Sequence, residues 1–429
     1  MIILQISYPL ITPVTDDWIF YPWQIRQVSP GNYSDLELFI GQQQILVKYI
    51  LYLTSYLPFL EAPRTGLVNI AFGATGIILL IKSQFVFLSK KANFPLVTAV
   101  VIVSFSFKPL YMYFMATSLG SMLALFLIGI YFRIKNSQNP RSWRLLPILF
   151  LSPFTFGVGL IIVMCELIEI IYLVYKKRQF TEKIKTFIFI FSITISIFIS
   201  QILPDMTKNY NELVGGAPAP VGRGAIELFS NPVNSMKFLI ISAGNIFVPS
   251  SRFDPIAPFV AGCLFLLACI HFLRKTPHKD ILDGVLLNKS CLLAGAIFVL
   301  LTLISRGAAS QQGFASATAP RYLLGSFIFT VGVLIILSKV VDGSKKKLRL
   351  DIFLLFVALS VLVSGVKTGS EWLSVRRAQT TVLSHCLNSS SEADLVAGGR
   401  CFLLGEKVRN PVSDQIFSEQ LRNFKSNGY

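Results

Sequence analysis

The stretch GLVNIAFGATGIILLIKSQFVFL, residues 66–88, followed by Ser89-Lys90-Lys91, decides the fold. An apolar run of about 20 residues crosses a hydrocarbon core as a helix, because a backbone in lipid has to satisfy its own hydrogen bonds. A basic pair just beyond such a run marks the end that stays in the cytoplasm. Working outward, comparable runs recur at 94–108, 110–132, 145–159, 160–175, 186–203, 256–273, 286–304, 321–339 and 351–367. Several are short, and the neighbours 145–159 and 160–175, joined near Gly157 and Gly159, invite a tilt, a break or a partial crossing. The chain is 53% hydrophobic and 14% charged over its 429 residues, which excludes a soluble globular domain. The expectation is an all-α integral membrane protein, a polytopic bundle of about 10–11 transmembrane helices.

The formal charge of +17 would also suit a nucleic-acid partner, but the placement of the basic residues argues otherwise. They fall in clusters between spans: Lys90-Lys91; Arg133, Lys135, Arg141 and Arg144; Lys176-Lys177-Arg178 with Lys183 and Lys185; Arg274, Lys275 and Lys279; and Lys345-Lys346-Lys347 with Arg349. Every second connection carries one, as membrane insertion requires, and no nucleic acid is expected. With these clusters cytoplasmic, residues 1–65, 204–255, 305–320 and 368–429 lie on the opposite face. Three regions follow: 1–65, an N-terminal segment and first extracytoplasmic loop with interfacial helices; 66–367, a transmembrane helical domain; and 368–429, a small extracytoplasmic tail. The stretch 45–60 is long enough to cross but holds Lys48 and ends at Pro58 and Glu61. A helix lying on the membrane surface fits it better, because a crossing would invert the charge alternation of everything downstream. Met1–Thr12 is apolar, too short to span and without the basic flank of a signal peptide. It is expected either to belong to a longer first helix or to lie along the interface.

Asp16-Asp17-Trp18 opens the first outer loop in a chain that has 22 acidic residues against 39 basic ones. Charge alternation alone puts Asp16, Asp17, Arg252, Arg306 and Arg321 on one side of the membrane. A Gly/Pro-rich loop, Asp205 to Asn234, and the turn Ser305-Arg306-Gly307 through Pro320-Arg321-Tyr322 lie on that side too. Four cysteines, Cys165, Cys263, Cys269 and Cys291, sit in apolar runs and read as small core residues. Cys386 and Cys401, in the outer tail, are placed to pair in an oxidising compartment.

Several of these elements resemble a bacterial family of polytopic membrane proteins related to the GT-C superfamily of polyprenyl-phosphate-sugar glycosyltransferases. The likeness is carried by Asp16-Asp17-Trp18, by Leu38-Phe39, by the glycine-bearing helix Gly157 to Arg178, by Phe238-Leu239 with Gly244-Asn245, and by Arg306-Gly307 with Arg321-Tyr322. It departs at Gly41-Gln42-Gln43-Gln44, where the family commonly carries an Asn-Glu-His-Arg-like cluster; glutamines supply neither acid, base nor phosphate-binding cation. The resemblance implies a GT-C-like fold with an extracytoplasmic Asp-Asp-Trp loop in a bacterial inner membrane. It implies transfer of a sugar from a polyprenyl-phosphate-linked donor to a glycan or lipid acceptor, among membrane lipids.

Such chemistry needs a base for the incoming hydroxyl, or carboxylates that hold a divalent cation such as magnesium or manganese. Asp16 and Asp17 suit either role. It also needs cations against the departing phosphate, for which arginine is fitted by its permanent charge and forked donors. Arg306 and Arg321 suit that task, Arg252 beside Asp254 is an addition, and Tyr322 can position or stack on a sugar ring. Plainer readings stand beside these: the aspartates as a helix cap, Arg321 reaching headgroup phosphates, Trp18 and Tyr322 as interfacial aromatics. A polysaccharide polymerase or ligase is a second functional reading, since Arg321 and Gly332 echo an arginine, ten residues, glycine pattern. A lipid-glycan transporter is the third. Reporter fusions check the topology: alkaline phosphatase joined after Gly215 is expected to be active, and the same reporter after Lys346 inactive.

Overall fold

The computed structural model describes residues 45–54, 56–57, 65–88, 92–105, 119–137, 142–155, 157–176, 183–197, 229–249, 255–274, 278–306, 317, 323–341 and 344–389. Among them there is no strand. The helices are α1 (Ile45–Thr54), α2 (Thr65–Leu88), α3 (Phe94–Ser104), α4 (Leu119–Lys135), α5 (Leu146–Leu151), α6 (Leu160–Tyr175) and α7 (Lys183–Ile197). They continue with α8 (Pro232–Gly244), α9 (Ile256–Leu273), α10 (His278–Leu286), α11 (Leu292–Arg306), α12 (Leu323–Val340) and α13 (Ser344–Ser389). Among the described residues, four segments are long and apolar enough to cross a membrane: Gly66–Leu88, Ile256–Leu273, Leu323–Val340 and Lys346–Glu371.

The expected runs 66–88, 160–175, 256–273 and 321–339 coincide with α2, α6, α9 and α12 to within two residues. The run 145–159 is not one helix. It breaks into the 3-10 turn Ser142–Leu145, the short α5, and the 3-10 turns Ser152–Phe154 and Gly157–Gly159. Pro147 is tolerated in the first turn of α5, whereas Pro153 lacks the N–H that would carry the helix on. The freed carbonyls are taken up locally: Ser152 Oγ donates to Leu149 O at 3.3 Å and Thr155 Oγ1 to Ser152 O at 2.8 Å. At the other end of the chain the boundary expected at 367/368 falls inside a continuous helix, since α13 runs on to Ser389.

α12 forms the axis of the bundle. Its residues from Leu323 to Ser338 are almost all buried, and a helix apolar on every side belongs at the centre. The core around it draws Leu80 from α2, Leu96 from α3, Tyr131 and Phe132 from α4, Ile161 from α6 and Leu354 from α13. α2 and α4 approach most closely through glycine. A Cβ on Gly129 would lie 2.5 Å from the carbonyl oxygen of Gly76, and one on Gly76 would lie 2.7 Å from the Phe126 nitrogen. Lipid tails are as apolar as leucine, so helices in a membrane gain from backbone proximity of this kind rather than from leaving water. α1 lies across the starts of these two helices, with Val47 and Leu51 buried against Val68 and Leu119.

The helix ends that adjoin the basic clusters meet at one end of the bundle. Lys339 Nζ donates to Phe87 O at 3.2 Å, joining the ends of α12 and α2. Asn93 accepts from the Leu96 N–H as the N-cap of α3 and donates to Asp351 Oδ1 of α13 at 2.6 Å. Asn136, just past α4, donates to Lys289 O at 2.9 Å, and Lys176, just past α6, pairs with Asp283 of α10 at 2.5 Å. Charge alternation in the sequence and contact in the fold therefore select the same set of helix ends.

A side chain forced between α2 and α4 strains both backbones, and overpacking of this kind costs about 1–3 kcal/mol. Gly129→Ile is expected to lower the thermal midpoint of the purified protein by several degrees while leaving its helical circular dichroism intact at low temperature.

Candidate functional site

Asp16, Asp17, Trp18, Arg252, Arg321 and Tyr322 lie outside the described residues. Arg306 is the last residue of α11, so its backbone is placed and its side chain is not described. The neighbourhood of that helix end can be built from its surroundings. Leu303, one turn earlier, is fully buried in a small cluster with Phe238 and Ile241 of α8 and with Ala317. Ala317 belongs to the connection between α11 and α12 that carries both Arg306 and Arg321. Its carbonyl accepts from Asn245 Nδ2 at 3.0 Å, while Ser326 Oγ near the start of α12 donates to Ser242 O.

The reading of 204–255 as one external stretch is refined here, because α8 is a helix seated in the bundle. Pro232 opens it, where a missing N–H costs nothing. Burial then rises along the helix: Phe229, Val233 and Met236 are exposed, whereas Phe238 and Ile241 to Ile246 are buried. It crosses α9 at a glycine contact in which a Cβ on Gly244 would come 1.9 Å from Pro258 O and one on Gly262 would come 2.0 Å from Ile240 O. Thirteen residues rise about 20 Å, too little for a full crossing. The segment Phe238 to Asn245 is thus brought against Leu303 near the end of α11 and against Ala317, both remote in sequence. Gly332 has a packing role of its own: a Cβ there would sit 2.4 Å from Leu292 Cα of α11.

The second polar centre was only half visible in sequence. Glu166 and Glu169 lie three residues apart on one face of α6, in an otherwise apolar helix. Tyr131 and Lys135 lie four apart on α4. The fold turns these faces together. Lys135 Nζ sits 2.8 Å from Glu166 Oε2 and 2.9 Å from Glu169 Oε2, with side-chain exposures of 11%, 9% and 13% for the three residues. Tyr131 donates its hydroxyl to Glu166 Oε2 at 2.8 Å. Asn288 donates to Glu169 Oε2 at 2.9 Å and to the Cys165 carbonyl at 2.6 Å. Asn288 has φ 49°, a left-handed conformation that asparagine tolerates better than most residues.

The turn that carries Asn288 is itself held by α2 and α4. Gln84 accepts from the Cys291 N–H at 3.0 Å and donates to Lys289 O at 3.3 Å, the carbonyl that Asn136 also reaches. At the rim, Tyr172 and Lys176 both donate to Asp283. The bond to Asp283, and after it the contact with Tyr172, holds the Lys176 ammonium above its usual pKa. Lys135 and both glutamates spend their polar atoms on one another, so the arrangement suits a clamp between helices rather than a nucleophile or an open ligand site. Among the described residues no group of three or more His, Cys, Asp or Glu is placed to hold a metal.

Two acids in an apolar helix announce that a partner exists, since an unpaired carboxylate in a membrane interior is expensive. Their sequence gives no hint that the partners are Lys135 and Asn288. Compared with known proteins, the chain matches no family model, no curated protein and no solved structure.

Removing one partner of a buried ion pair costs about 3–5 kcal/mol, because it strands the other charge. Lys135→Met is therefore expected to destabilise the protein strongly in detergent. Adding Glu166→Gln and Glu169→Gln to it is expected to recover most of the loss; equal stability of wild type and Lys135→Met would contradict the clamp.

Proposed function

We propose that the protein is a membrane glycosyltransferase that moves a sugar from a polyprenyl-phosphate-linked donor to a glycan or lipid acceptor on the extracytoplasmic face of a bacterial inner membrane. One observation carries the reading: charge alternation gathers carboxylates from the amino end, Asp16 and Asp17, and guanidiniums from later connections, Arg306 and Arg321, on one face. In this mechanism Asp16 or Asp17 takes the proton of the attacking hydroxyl, and the oxygen of that hydroxyl forms the new bond to the anomeric carbon as the bond to the phosphate oxygen breaks. Arg306 and Arg321 meet the charge that develops on the departing polyprenyl phosphate. Arg252 adds to that field and Tyr322 orients the sugar.

The Asn245 to Ala317 hydrogen bond supports this reading from the side of packing. It ties the Gly244-Asn245 segment to Ala317, a residue that lies in sequence between Arg306 and Arg321. A second reading, a lipid-glycan transporter, draws on a different observation. Lys135, Glu166 and Glu169 are charges buried among helices, and ionisable groups in such positions often line a route.

Deletion of the gene followed by analysis of surface glycans and glycolipids tests both. Loss of a glycan decoration with its undecorated acceptor still exported is expected of a transferase, and accumulation of the complete lipid-linked glycan inside is expected of a transporter. Asp17→Asn and Arg321→Ala are each expected to fail in restoring the decoration at wild-type levels of protein. Restoration by both would remove these residues from the reaction.

A further inference from the structure

The outer face of α2 carries a feature that neither the proposed transfer nor the buried clamp uses. Lys82 is the single charged residue between Gly66 and Leu88. It is exposed, and it lies within a shallow, open hollow on the helix surface, lined by Ile78, Ile81, Lys82, Phe85 and Val86. These positions follow the spacing i, i+3, i+4, i+7, i+8, which is one continuous strip of a helix surface. Apart from the lysine, every side chain in the strip is apolar.

The depth of Lys82 decides what can meet it. Its Cα lies about 9 Å along the axis from Leu88, where α2 ends beside Lys90-Lys91. A lysine near a membrane surface usually extends its ammonium to the headgroups. The Cα–Cβ bond in a helix tilts toward the N-terminus, here away from the nearer end, so the stem turns back toward that surface and the ammonium stays a little below the helix end, at a level a lipid phosphate drawn inward can meet. The ion pairs among the described residues use Lys135 and Lys176, not Lys82. Lys339 at the same end of the bundle is otherwise engaged, its Nζ lying over the Phe87 ring and donating to Phe87 O.

We propose that this hollow binds an anionic phospholipid of the leaflet at the basic end. Its phosphate meets the Lys82 ammonium, one acyl chain runs inward over Ile81 and Ile78, and Phe85 and Val86 flank the glycerol on the surface side. Charge complementarity selects the occupant. A cation set within an apolar strip matches an amphiphile that joins an anionic phosphate to a hydrocarbon chain, and a lipid with its own headgroup cation offers less. The site lies at the end of the bundle opposite to the proposed sugar transfer, so it is separate from donor binding.

Native mass spectrometry of the full chain, delipidated and titrated with phosphatidylglycerol, phosphatidylcholine or an isoprenyl phosphate, tests the proposal. The wild type and Lys82→Arg are expected to bind one phosphatidylglycerol at least about tenfold more tightly than phosphatidylcholine. Lys82→Gln is expected to erase that preference while phosphatidylcholine binding stays unchanged, and Phe85→Ala is expected to weaken both lipids. The wild type alone also decides: equal affinity for the two phospholipids, or a preference for isoprenyl phosphate over phosphatidylglycerol, would overturn the assignment. So would a phosphatidylglycerol preference that survives in Lys82→Gln.

Discussion

One ammonium held between two carboxylates, out of water, constrains the basic end of this bundle. Lys135 is anchored on α4, Glu166 and Glu169 on α6, and Asn288 on the turn between α10 and α11. Where the dielectric is low an uncompensated charge is costly, so these elements hold together or separate together. The constraint spreads through backbone groups. The turn that presents Asn288 needs Gln84 of α2 and Asn136 at the end of α4 to satisfy Lys289 and Cys291. Four parts of the chain, up to about 200 residues apart, are thereby fixed by a handful of polar atoms.

Close backbone approach does the complementary task along the helices. Gly76 with Gly129 and Gly244 with Gly262 let two pairs of helices meet without intervening side chains. Around them α12 supplies a rod that is buried on all sides. Polar bonds set which ends are together, and glycine contacts set how near the shafts lie. Neither alone would select one arrangement, because apolar helices in lipid slide past one another at little cost.

What could be read in the sequence follows from the same physics. α2, α6, α9 and α12 are continuous apolar stretches, and hydropathy locates these directly. The break between α5 and α6 was signalled by Gly157 and Gly159, but its form depends on Pro153 and on the hydroxyls of Ser152 and Thr155. α13 outran its apolar core of 351–367 because hydropathy is blind to a helix that has left the lipid. Past Lys367 the backbone ladder continues through polar sequence, and Ser370 and Ser374 turn their hydroxyls back onto Lys367 O and Glu371 O. α8 was missed as a helix within the bundle for the opposite reason: at 13 residues it is too short to give a span signal. Of the candidate site, the sequence could assign sides and residue types, since both follow from charge. It could not give distances, which depend on how the loops fold over the bundle.

The two polar centres of the chain differ in what they leave available. In the buried centre, Lys135 faces both glutamates at salt-bridge distance and each glutamate accepts a further hydrogen bond, from Tyr131 or Asn288. Groups engaged in that way stabilise a geometry but have little capacity to exchange partners with a passing ligand. A transport route needs sites that release as readily as they bind, in a series along the path. The buried charges instead sit together near helix ends, beside the half-buried pair of Lys176 and Asp283. At the other end α8 stops part-way, and Asn245, just past it, donates to the Ala317 carbonyl in the connection between α11 and α12. The buried charges thus act as a fixed joint between helices, and a geometry that must not move is ill suited to a path whose sites have to open and close in turn.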